Sequence, residues 1–311
     1  MIKILITGGA GFVPSSLADR LIQNKENFIV CIDNFLSGKK QNLPSHNPDN
    51  YHFIKADVNK YEDLSAIMLS YRFDYVFHYA AMVGVKRTLE HPLSVLEDIE
   101  GIKNILSLSK NTGVKRVFFS SSSEVYGEPV EFPQNEHTTP LNSKLPYAIV
   151  KNVGEAFLKS YSREHNLDYT IFRFFNTYGP KQSIDFVMSK FIRAALNNED
   201  ITIYGDGLQT RTFCHIDDNI DATEKILYND LEINDIINLG SDKETTILEL
   251  AQKVISFTQS DSKIVFLPPL EEGDMTRRKP DNTKMKAILG RELMPLETGM
   301  KKIIHALSPS Q

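Results

Sequence analysis

The sequence has no tryptophan and only two cysteines, Cys31 and Cys214, among its 311 residues. Two cysteines are too few for the disulfide framework that holds small secreted domains together. No apolar run approaches the roughly 18 residues that a membrane helix needs. No charged and then apolar targeting segment precedes the first predicted strand. The sequence therefore predicts a cytoplasmic protein that has no membrane partner.

An excess of positive charge is also missing. The chain has 35 lysines and arginines against 40 aspartates and glutamates, which gives a net charge of -5. Such a surface does not attract a nucleic-acid backbone, so we expect no nucleic-acid partner. No group of His, Cys, Asp and Glu residues has metal-ligand spacing, so we expect no metal either. Because 41% of the residues are hydrophobic, the chain can bury a sizeable core.

Apolar runs of strand length alternate with helix-period segments over the first 240 residues. This alternation is typical of βαβ units and predicts an α/β fold with a doubly wound parallel sheet of the Rossmann type. The pattern loosens after residue 178 and returns over 211–240. It predicts a main domain of 1–178 with 211–240, and a smaller C-terminal lobe of 179–210 with 241–311. The predicted strands are Ile2–Thr7, Phe28–Asp33, His52–Ala56, Tyr75–His78, Val117–Ser121, Tyr169–Phe174 and Ile201–Tyr204. The predicted helices are Pro14–Gln23, Asp63–Leu69, Pro92–Asn111, Tyr147–Ser162 and Asp185–Leu196.

The string TGGAGF at residues 7–12 leaves the first predicted strand and enters a helix. In this context glycines let backbone N–H groups approach a pyrophosphate. Asp33 ends the next strand, where a carboxylate accepts hydrogen bonds from an adenosine ribose and repels a 2′-phosphate. The pattern predicts NAD rather than NADP, the alternative being an ordinary turn with Asp33 as a loop acid. The predicted cofactor-binding residues are Gly8, Gly11, Phe12, Val13, Asp33, Asn34, Asp57, Val58, Ala80, Ala81, Tyr147 and Lys151.

Tyr147 and Lys151 stand four residues apart, just after Pro146, a residue suited to the first turn of a helix. Both side chains then share one helical face. A neighbouring ammonium favours the phenolate of a tyrosine, which can act as a base toward a sugar hydroxyl. Tyr51 and Lys55 have the same spacing in a predicted strand, where no helical face exists. The alternative for Tyr147 and Lys151 is an exposed helix pair.

The strings TGGAGF, SSSEVYG, YAIVK and RFFNTYGP occur in this order. With them the chain resembles, nearly end to end, the extended short-chain dehydrogenases/reductases that act on nucleotide sugars. The resemblance implies a retained NAD⁺, which transiently oxidises C4 of a UDP- or dTDP-sugar before epimerisation, dehydration or decarboxylation. It implies Tyr147 as the base, Lys151 as its electrostatic helper and ribose ligand, and Ser122 or Ser123 as the hydroxyl partner. It also implies a homodimer through the predicted helices Pro92–Asn111 and Tyr147–Ser162.

Glu124 bears on the step that follows the oxidation. By resemblance, 4-epimerases often carry a small residue here, 4,6-dehydratases an Asp-Glu pair, and uronate decarboxylases a sequence like Ser122-Ser123-Glu124. A carboxylate beside a 4-keto sugar can remove a proton from C5 or order a water molecule, so Glu124 favours a lyase. A UDP-sugar 4-epimerase stays open, because the segment 85–88 is more similar to an epimerase loop. A non-catalytic NAD-binding regulatory protein and a coenzyme-exchanging dehydrogenase are further alternatives.

The string YGDGLQTR at residues 204–211 is similar to the nucleotide-binding segment of the same family. A guanidinium there would bind diphosphate oxygens through two parallel hydrogen bonds. The predicted substrate-binding residues are Asn176, Tyr204, Arg211 and Arg277, with Arg278 as the alternative to Arg277. The chain departs from the family pattern at Asp98, where relatives often have asparagine. This difference affects a hydrogen bond behind the tyrosine that the resemblance implies as the base.

Overall fold

The computed structural model describes residues 1–44, 48–269 and 278–308. Arg277, one of the predicted substrate-binding residues, lies outside the described residues. The chain divides into two compact units. The first unit consists of residues 1–127, 140–174 and 223–237, and the second unit of 128–139, 175–222 and 238–311.

The described part of the chain contains the following strands and helices. The strands are β1 (Ile2–Thr7), β2 (Asn27–Asp33), β3 (Tyr51–Lys55), β4 (Tyr75–His78), β5 (Arg116–Ser122), β6 (Asp168–Phe174), β7 (Thr177–Tyr178), β8 (Ile201–Tyr204), β9 (Thr210–Thr212), β10 (Cys214–His215), β11 (Asp235–Leu239), β12 (Glu244–Thr246) and β13 (Ile264–Leu267). The helices are α1 (Phe12–Leu21), α2 (Tyr61–Tyr71), α3 (Val85–Glu90), α4 (Pro92–Leu96), α5 (Asp98–Thr112), α6 (Pro146–His165), α7 (Val187–Leu196), α8 (Ile216–Tyr228), α9 (Ile247–Thr258), α10 (Thr283–Leu289) and α11 (Leu296–Leu307).

A seven-stranded sheet has the strand order β11-β6-β5-β4-β1-β2-β3. Strands β1 to β6 pair in parallel. The order reverses direction at β1, as the doubly wound fold requires, so that the ends of β1 and β4 lie side by side at the switch point. Leu5, Val76 and Val117 are almost completely buried, because helices cover parallel strands on both faces.

The second unit holds the shorter strands. Parallel pairs form between β7 and β10 and between β8 and β13, and an antiparallel pair forms between β9 and β12. Helices α7, α9 and α11 share an apolar core with β8. Thr246 starts α9 with a reciprocal capping box, in which its side chain accepts from the N–H of Glu249 and its own N–H donates to the Glu249 side chain.

The fold class predicted from the sequence is confirmed. Each of the seven predicted strands matches an observed one within one residue at either end. The predicted helix Pro92–Asn111 is wrong as a single helix, since α4 and α5 are separate segments that meet at Glu97. Within the described ranges, no helix is both long and apolar enough to span a bilayer.

Candidate active site

The turn after β1 leaves no room for side chains. Gly8 has a φ of +70°, and a Cβ there would lie 2.9 Å from the backbone N and Cα of Ala80. The Gly11 N–H donates to the Gly8 carbonyl oxygen at 2.8 Å, and α1 begins directly afterwards at Phe12. The first N–H groups of a helix have no partner within the helix, so those of Phe12 and Val13 are available to an anion. This cradle fits the pyrophosphate of a dinucleotide.

Asp33, the last residue of β2, is fixed beside this turn. One carboxylate oxygen accepts from the Ala10 N–H at 3.0 Å, and the other from the Phe35 N–H at 2.6 Å. Burial raises the pKa of Asp33, while these two N–H groups lower it. A Cβ on Gly38 would lie 2.8 Å from both carboxylate oxygens, so the loop after Asn34 approaches the carboxylate closely. The aspartate is thereby held at the end of β2, beside the glycine turn.

Two further strand ends, those of β3 and β4, lie along the same edge of the sheet. Asp57 follows β3, and its side chain accepts from the N–H of Asn59 at 3.0 Å. Ala80 and Ala81 follow β4, where the Thr7 hydroxyl accepts from the Ala80 N–H at 3.0 Å. Val58 lies against α5. The predicted cofactor-binding residues of β1 to β4 are therefore all at the carboxyl ends of neighbouring strands.

Tyr147 and Lys151 are on the first turns of α6, the helix that begins at Pro146. The Lys151 Nζ lies 5.7 Å from the centre of the Tyr147 ring and 5.0 Å from that of Phe119. It also lies 3.4 Å from the Ser120 hydroxyl, to which it donates. Lys151 is only 3% exposed, and burial lowers its pKa to about 8. The two side chains share one face of the helix, as the spacing predicts.

The segment after β5 folds into one tight helical turn over residues 123–126. The Ser122 hydroxyl accepts from the Glu124 N–H at 3.2 Å and caps this turn. Its own proton is left to donate elsewhere. Ser123 is buried, whereas Glu124 and Ser122 are half-buried. The turn places this segment at the end of β5, the strand that carries Ser120.

A buried ion pair that the sequence did not indicate holds α6 against the sheet. The Arg173 guanidinium binds Glu155 through Nε at 2.9 Å and Nη2 at 2.6 Å, and Nη1 donates to the Tyr126 hydroxyl at 2.9 Å. The Ser121 hydroxyl donates to the same Glu155 carboxylate at 2.6 Å. Glu155 is four residues after Lys151 and therefore on the same face of α6. The network connects α6 to β5, β6 and the turn that carries Glu124.

Replacing Arg173 with Met is expected to lower the free energy of unfolding by about 3–5 kcal/mol, because it leaves the Glu155 carboxylate buried and unpaired. The matched control is Arg20→Met, which breaks the partly exposed pair with Glu224 and should cost at most about 1 kcal/mol. Denaturant unfolding followed by circular dichroism measures both losses. Equal losses in the two variants would show that the buried pair has no special structural role.

The described members of the predicted substrate-binding set, Asn176, Tyr204 and Arg211, lie in the second unit. Asn176, which follows β6, has a side-chain nitrogen that is buried and has no hydrogen-bond partner among the described residues. Tyr204 is 39% exposed at the end of β8. Arg211 is half-buried on β9, and its guanidinium donates to the Thr210 carbonyl oxygen at 2.8 Å. Arg278, the alternative to Arg277, is buried.

Comparison with known proteins identifies a family, and also relatives that match nearly the whole chain. The NAD dependent epimerase/dehydratase family matches residues 4–240. A UDP-glucuronic acid decarboxylase of Danio rerio is 36% identical over 315 residues, which cover 98% of this chain and 72% of that protein. A UDP-N-acetyl-alpha-D-glucosaminuronate decarboxylase of Bacillus cytotoxicus is 37% identical over 318 residues, 97% of each chain. For other curated relatives, the part of the relative's length that this chain covers is as low as 64%.

The fold also has close structural neighbours. The crystal structure of a UDP-glucose 4-epimerase of Thermotoga maritima, determined with UDP-glucose, superposes with a TM-score of 0.90 and 33% identity over 98% of both chains. The relatives in sequence are thus mostly named for a decarboxylation, while this neighbour in structure is named for an epimerisation.

Proposed function

The chain belongs to the NAD-dependent epimerase/dehydratase family, and we propose that it is a decarboxylase of UDP-hexuronates. It is an NAD-dependent enzyme of the nucleotide-sugar epimerase, dehydratase and decarboxylase group. One observation carries the choice among these reactions. The sequence Ser122-Ser123-Glu124 puts a carboxylate on the turn that ends β5, in a chain whose relatives at 36% and 37% identity are named uronate decarboxylases.

NAD fits the residues that are present. The glycine turn leaves the space that a Cβ at Gly8 would fill, and Asp33 is held by two backbone N–H groups. When bound, the cofactor accepts a hydride from C4 of the sugar and later returns it. The residues of the turn would hold the pyrophosphate, and Asp33 would accept from the adenosine ribose.

Tyr147 would take the proton of the C4 hydroxyl while C4 is oxidised. The Lys151 ammonium beside its ring favours the phenolate that this step requires. Lys151 would also bind ribose hydroxyls of the cofactor. Ser122 would donate to the sugar oxygen, since its hydroxyl accepts from the Glu124 N–H and keeps its own proton free. The three side chains would thus orient the C4 hydroxyl and move one proton.

Oxidation at C4 turns a hexuronate into a β-keto acid, because the carboxyl group is attached to C5. The bond between C5 and the carboxyl carbon then breaks, carbon dioxide leaves, and the electron pair forms an enolate with the C4 carbonyl. Glu124 would take up a proton from solvent and pass it to C5, directly or through a water molecule, so that the reaction consumes one solvent proton. When C4 is reduced again, Tyr147 returns its proton to the C4 oxygen. The net products are a UDP-pentose and carbon dioxide.

Residues of the second unit would bind the nucleotide. Arg211 and Arg277 would bind the diphosphate as guanidinium groups, with Arg278 as the buried alternative to Arg277. The Asn176 amide nitrogen, which has no hydrogen-bond partner in the described part of the chain, would donate to the substrate. Tyr204 would contribute its exposed ring. UDP is favoured over dTDP because UDP is the nucleotide in the names of both sequence relatives.

Incubation with a set of UDP- and dTDP-hexoses, UDP-hexuronates and UDP-N-acetylhexosamines tests the proposed reaction. We expect turnover of a UDP-hexuronate, with a product that is lighter by carbon dioxide. Loss of water would indicate a dehydratase, and an unchanged mass with a new C4 configuration an epimerase. The 4-epimerase is the second candidate, because the neighbour with a TM-score of 0.90 is a UDP-glucose 4-epimerase.

Replacing Asp33 with Asn tests the cofactor preference. The amide oxygen can still accept one backbone N–H, but the charge is lost, so we expect an approximately tenfold weaker affinity for NAD. Affinity for NADP should rise, because the repulsion of the 2′-phosphate disappears. Calorimetric titration of the cofactor-free protein with both coenzymes measures the two affinities. The control is Asp49→Asn, an exposed loop position. An unchanged ratio of the two affinities in Asp33→Asn would contradict the assignment.

The proposal includes a cytoplasmic homodimer that forms through α4 to α6. Exposed apolar side chains on these helices support it: Leu93 is 77% exposed, Leu96 39% and Ile149 40%. An apolar surface of this kind is typical of a contact between protein chains. The mass of the protein in solution distinguishes a dimer from a monomer.

A further inference from the structure

The departure at Asp98 points to a further residue behind the catalytic pair. We propose that Asp98 is a positioning residue, whose carboxylate at the start of α5 stands opposite Lys151 and keeps the Lys151 amine protonated. This inference rests on the proposed function, because it concerns the state in which Lys151 serves Tyr147. Asp98 itself need not contact substrate or cofactor.

The packing of α5 against α6 places the two groups together. A Cβ on Gly154 of α6 would lie 3.2 Å from the Cδ1 atom of Ile102 on α5, so the two helices approach closely there. Asp98 precedes Ile102 by four residues and Lys151 precedes Gly154 by three, so each lies on the contacting face of its helix. The helices run in the same direction, since each precedes one of the parallel strands β5 and β6. Asp98 and Lys151 therefore lie at the same end of the helix pair.

Hydrogen bonds fix the Asp98 carboxylate. Its Oδ2 atom accepts from the Met82 N–H at 2.7 Å, just beyond the end of β4. The Asn59 side chain also bonds to it. On the opposite side, Lys151 is held between Phe119 and Ser120. Neither group can swing away without breaking these contacts.

The charges near Lys151 support the assignment. Burial lowers the pKa of Lys151 to about 8, and Asp98 is the group that opposes this shift. Tyr147 on α6 and His78 on β4 are further titratable neighbours among the described residues. Glu155, four residues along α6, is paired with Arg173. Burial lowers the pKa of His78 to about 3, so this imidazole is neutral in the working range. The β5 neighbours Ser120 and Phe119 carry no charge.

The charges near Asp98 are consistent with this pairing. Burial raises the pKa of Asp98, whereas the Met82 N–H, Lys151 and Asn59 lower it, and Asp57 raises it further. Asp98 and Lys151 thus each favour the charged form of the other. Without the carboxylate, Lys151 would lose its proton at a lower pH, and Tyr147 would lose the adjacent positive charge in the same range.

The substitution Asp98→Asn separates charge from hydrogen bonding, because the amide oxygen can still accept from the Met82 N–H. In protein labelled with ¹⁵N-lysine, the Lys151 Nζ resonance is identified by its absence in Lys151→Arg. We expect its titration midpoint to fall by about one pH unit in Asp98→Asn. The alkaline limb of kcat/KM should move down by the same amount. Asp98→Glu, which keeps the charge, should restore both toward the original values.

An unmoved midpoint in Asp98→Asn, or equal midpoints for Asp98→Asn and Asp98→Glu, would overturn the proposal. A shift in Asp98→Ala alone would likewise overturn it, since the carboxylate would then act only as a hydrogen-bond acceptor. The titration needs no substrate. If the midpoint moves but no nucleotide sugar reacts, the proposed reaction fails and the charge pairing stands. If uronate turnover is found and the midpoint does not move, the proposed reaction stands and the charge pairing of Asp98 with Lys151 fails.

Discussion

Replacing Tyr147 with Phe is expected to lower kcat by about 10²–10⁴-fold, the range that removal of a general base produces. This corresponds to an increase of about 3–5 kcal/mol in the activation barrier. The phenylalanine ring retains the contact in which the Lys151 Nζ lies 5.7 Å from the ring centre. Binding of NAD should therefore be weakened little, and the loss should fall on the chemical step. Rates of UDP-hexuronate consumption and a calorimetric NAD titration measure the two effects.

Tyr161→Phe is the matched control on the same helix. This residue lies near the C-terminal end of α6, where its ring contacts that of His165 at 5.3 Å, and it takes no part in the proposed chemistry. Its turnover should equal that of the unaltered enzyme. Equal turnover in Tyr147→Phe would show that Tyr147 is not the base and that the catalytic assignment of α6 is wrong.

Replacing Glu124 with Gln is expected to separate oxidation from product formation. Tyr147 and Lys151 remain, so hydride transfer from C4 should continue. Protonation at C5 loses its acid, so formation of the UDP-pentose should fall by about 10²-fold or more. Absorbance of the reduced nicotinamide should then accumulate on the enzyme when a UDP-hexuronate is added. Rapid mixing with absorbance detection, followed by mass analysis of the quenched sample, measures both steps.

Glu128→Gln serves as the control, because this glutamate is exposed four residues further along the chain. We expect its rates of both steps to be unchanged. If Glu124→Gln forms the pentose at the original rate, Glu124 is not the proton donor. Glu124 would then no longer support a decarboxylase over a 4-epimerase.

Much of the first unit is predictable from the sequence. Strands such as β1 and β4 lie between layers of helices, so they read as continuous apolar runs with clear ends. The glycine turn and Asp33 are predictable because the required backbone conformation and the carboxylate occur at fixed places after β1 and β2. The family resemblance was confirmed by the match over residues 4–240. The roles of the individual site residues stay predictions.

Contacts between distant parts of the chain were not predictable. Arg173 and Glu155 are 18 residues apart and each would be an ordinary surface residue by type, yet the fold buries them as a pair. The four-residue spacing of Glu155 from Lys151 indicates that both lie on one face of the helix, but it does not identify Arg173 as the partner of Glu155. Likewise, residues 128–139 join the second unit because Gln134 donates its N–H to the Lys279 carbonyl oxygen at 2.8 Å. The periodicity of apolar residues predicts single helices and strands, but it does not predict contacts between residues that are far apart in the sequence.

The most direct test of the account is one incubation of the enzyme, without added coenzyme, with UDP-glucuronate that carries deuterium at C4. We expect a UDP-pentose that is lighter by carbon dioxide and still has deuterium at C4, because the hydride removed from C4 returns to the same molecule. Mass spectrometry with fragmentation of the sugar locates the label. A product that has lost the C4 deuterium, or one that retains the carboxyl group, would contradict it.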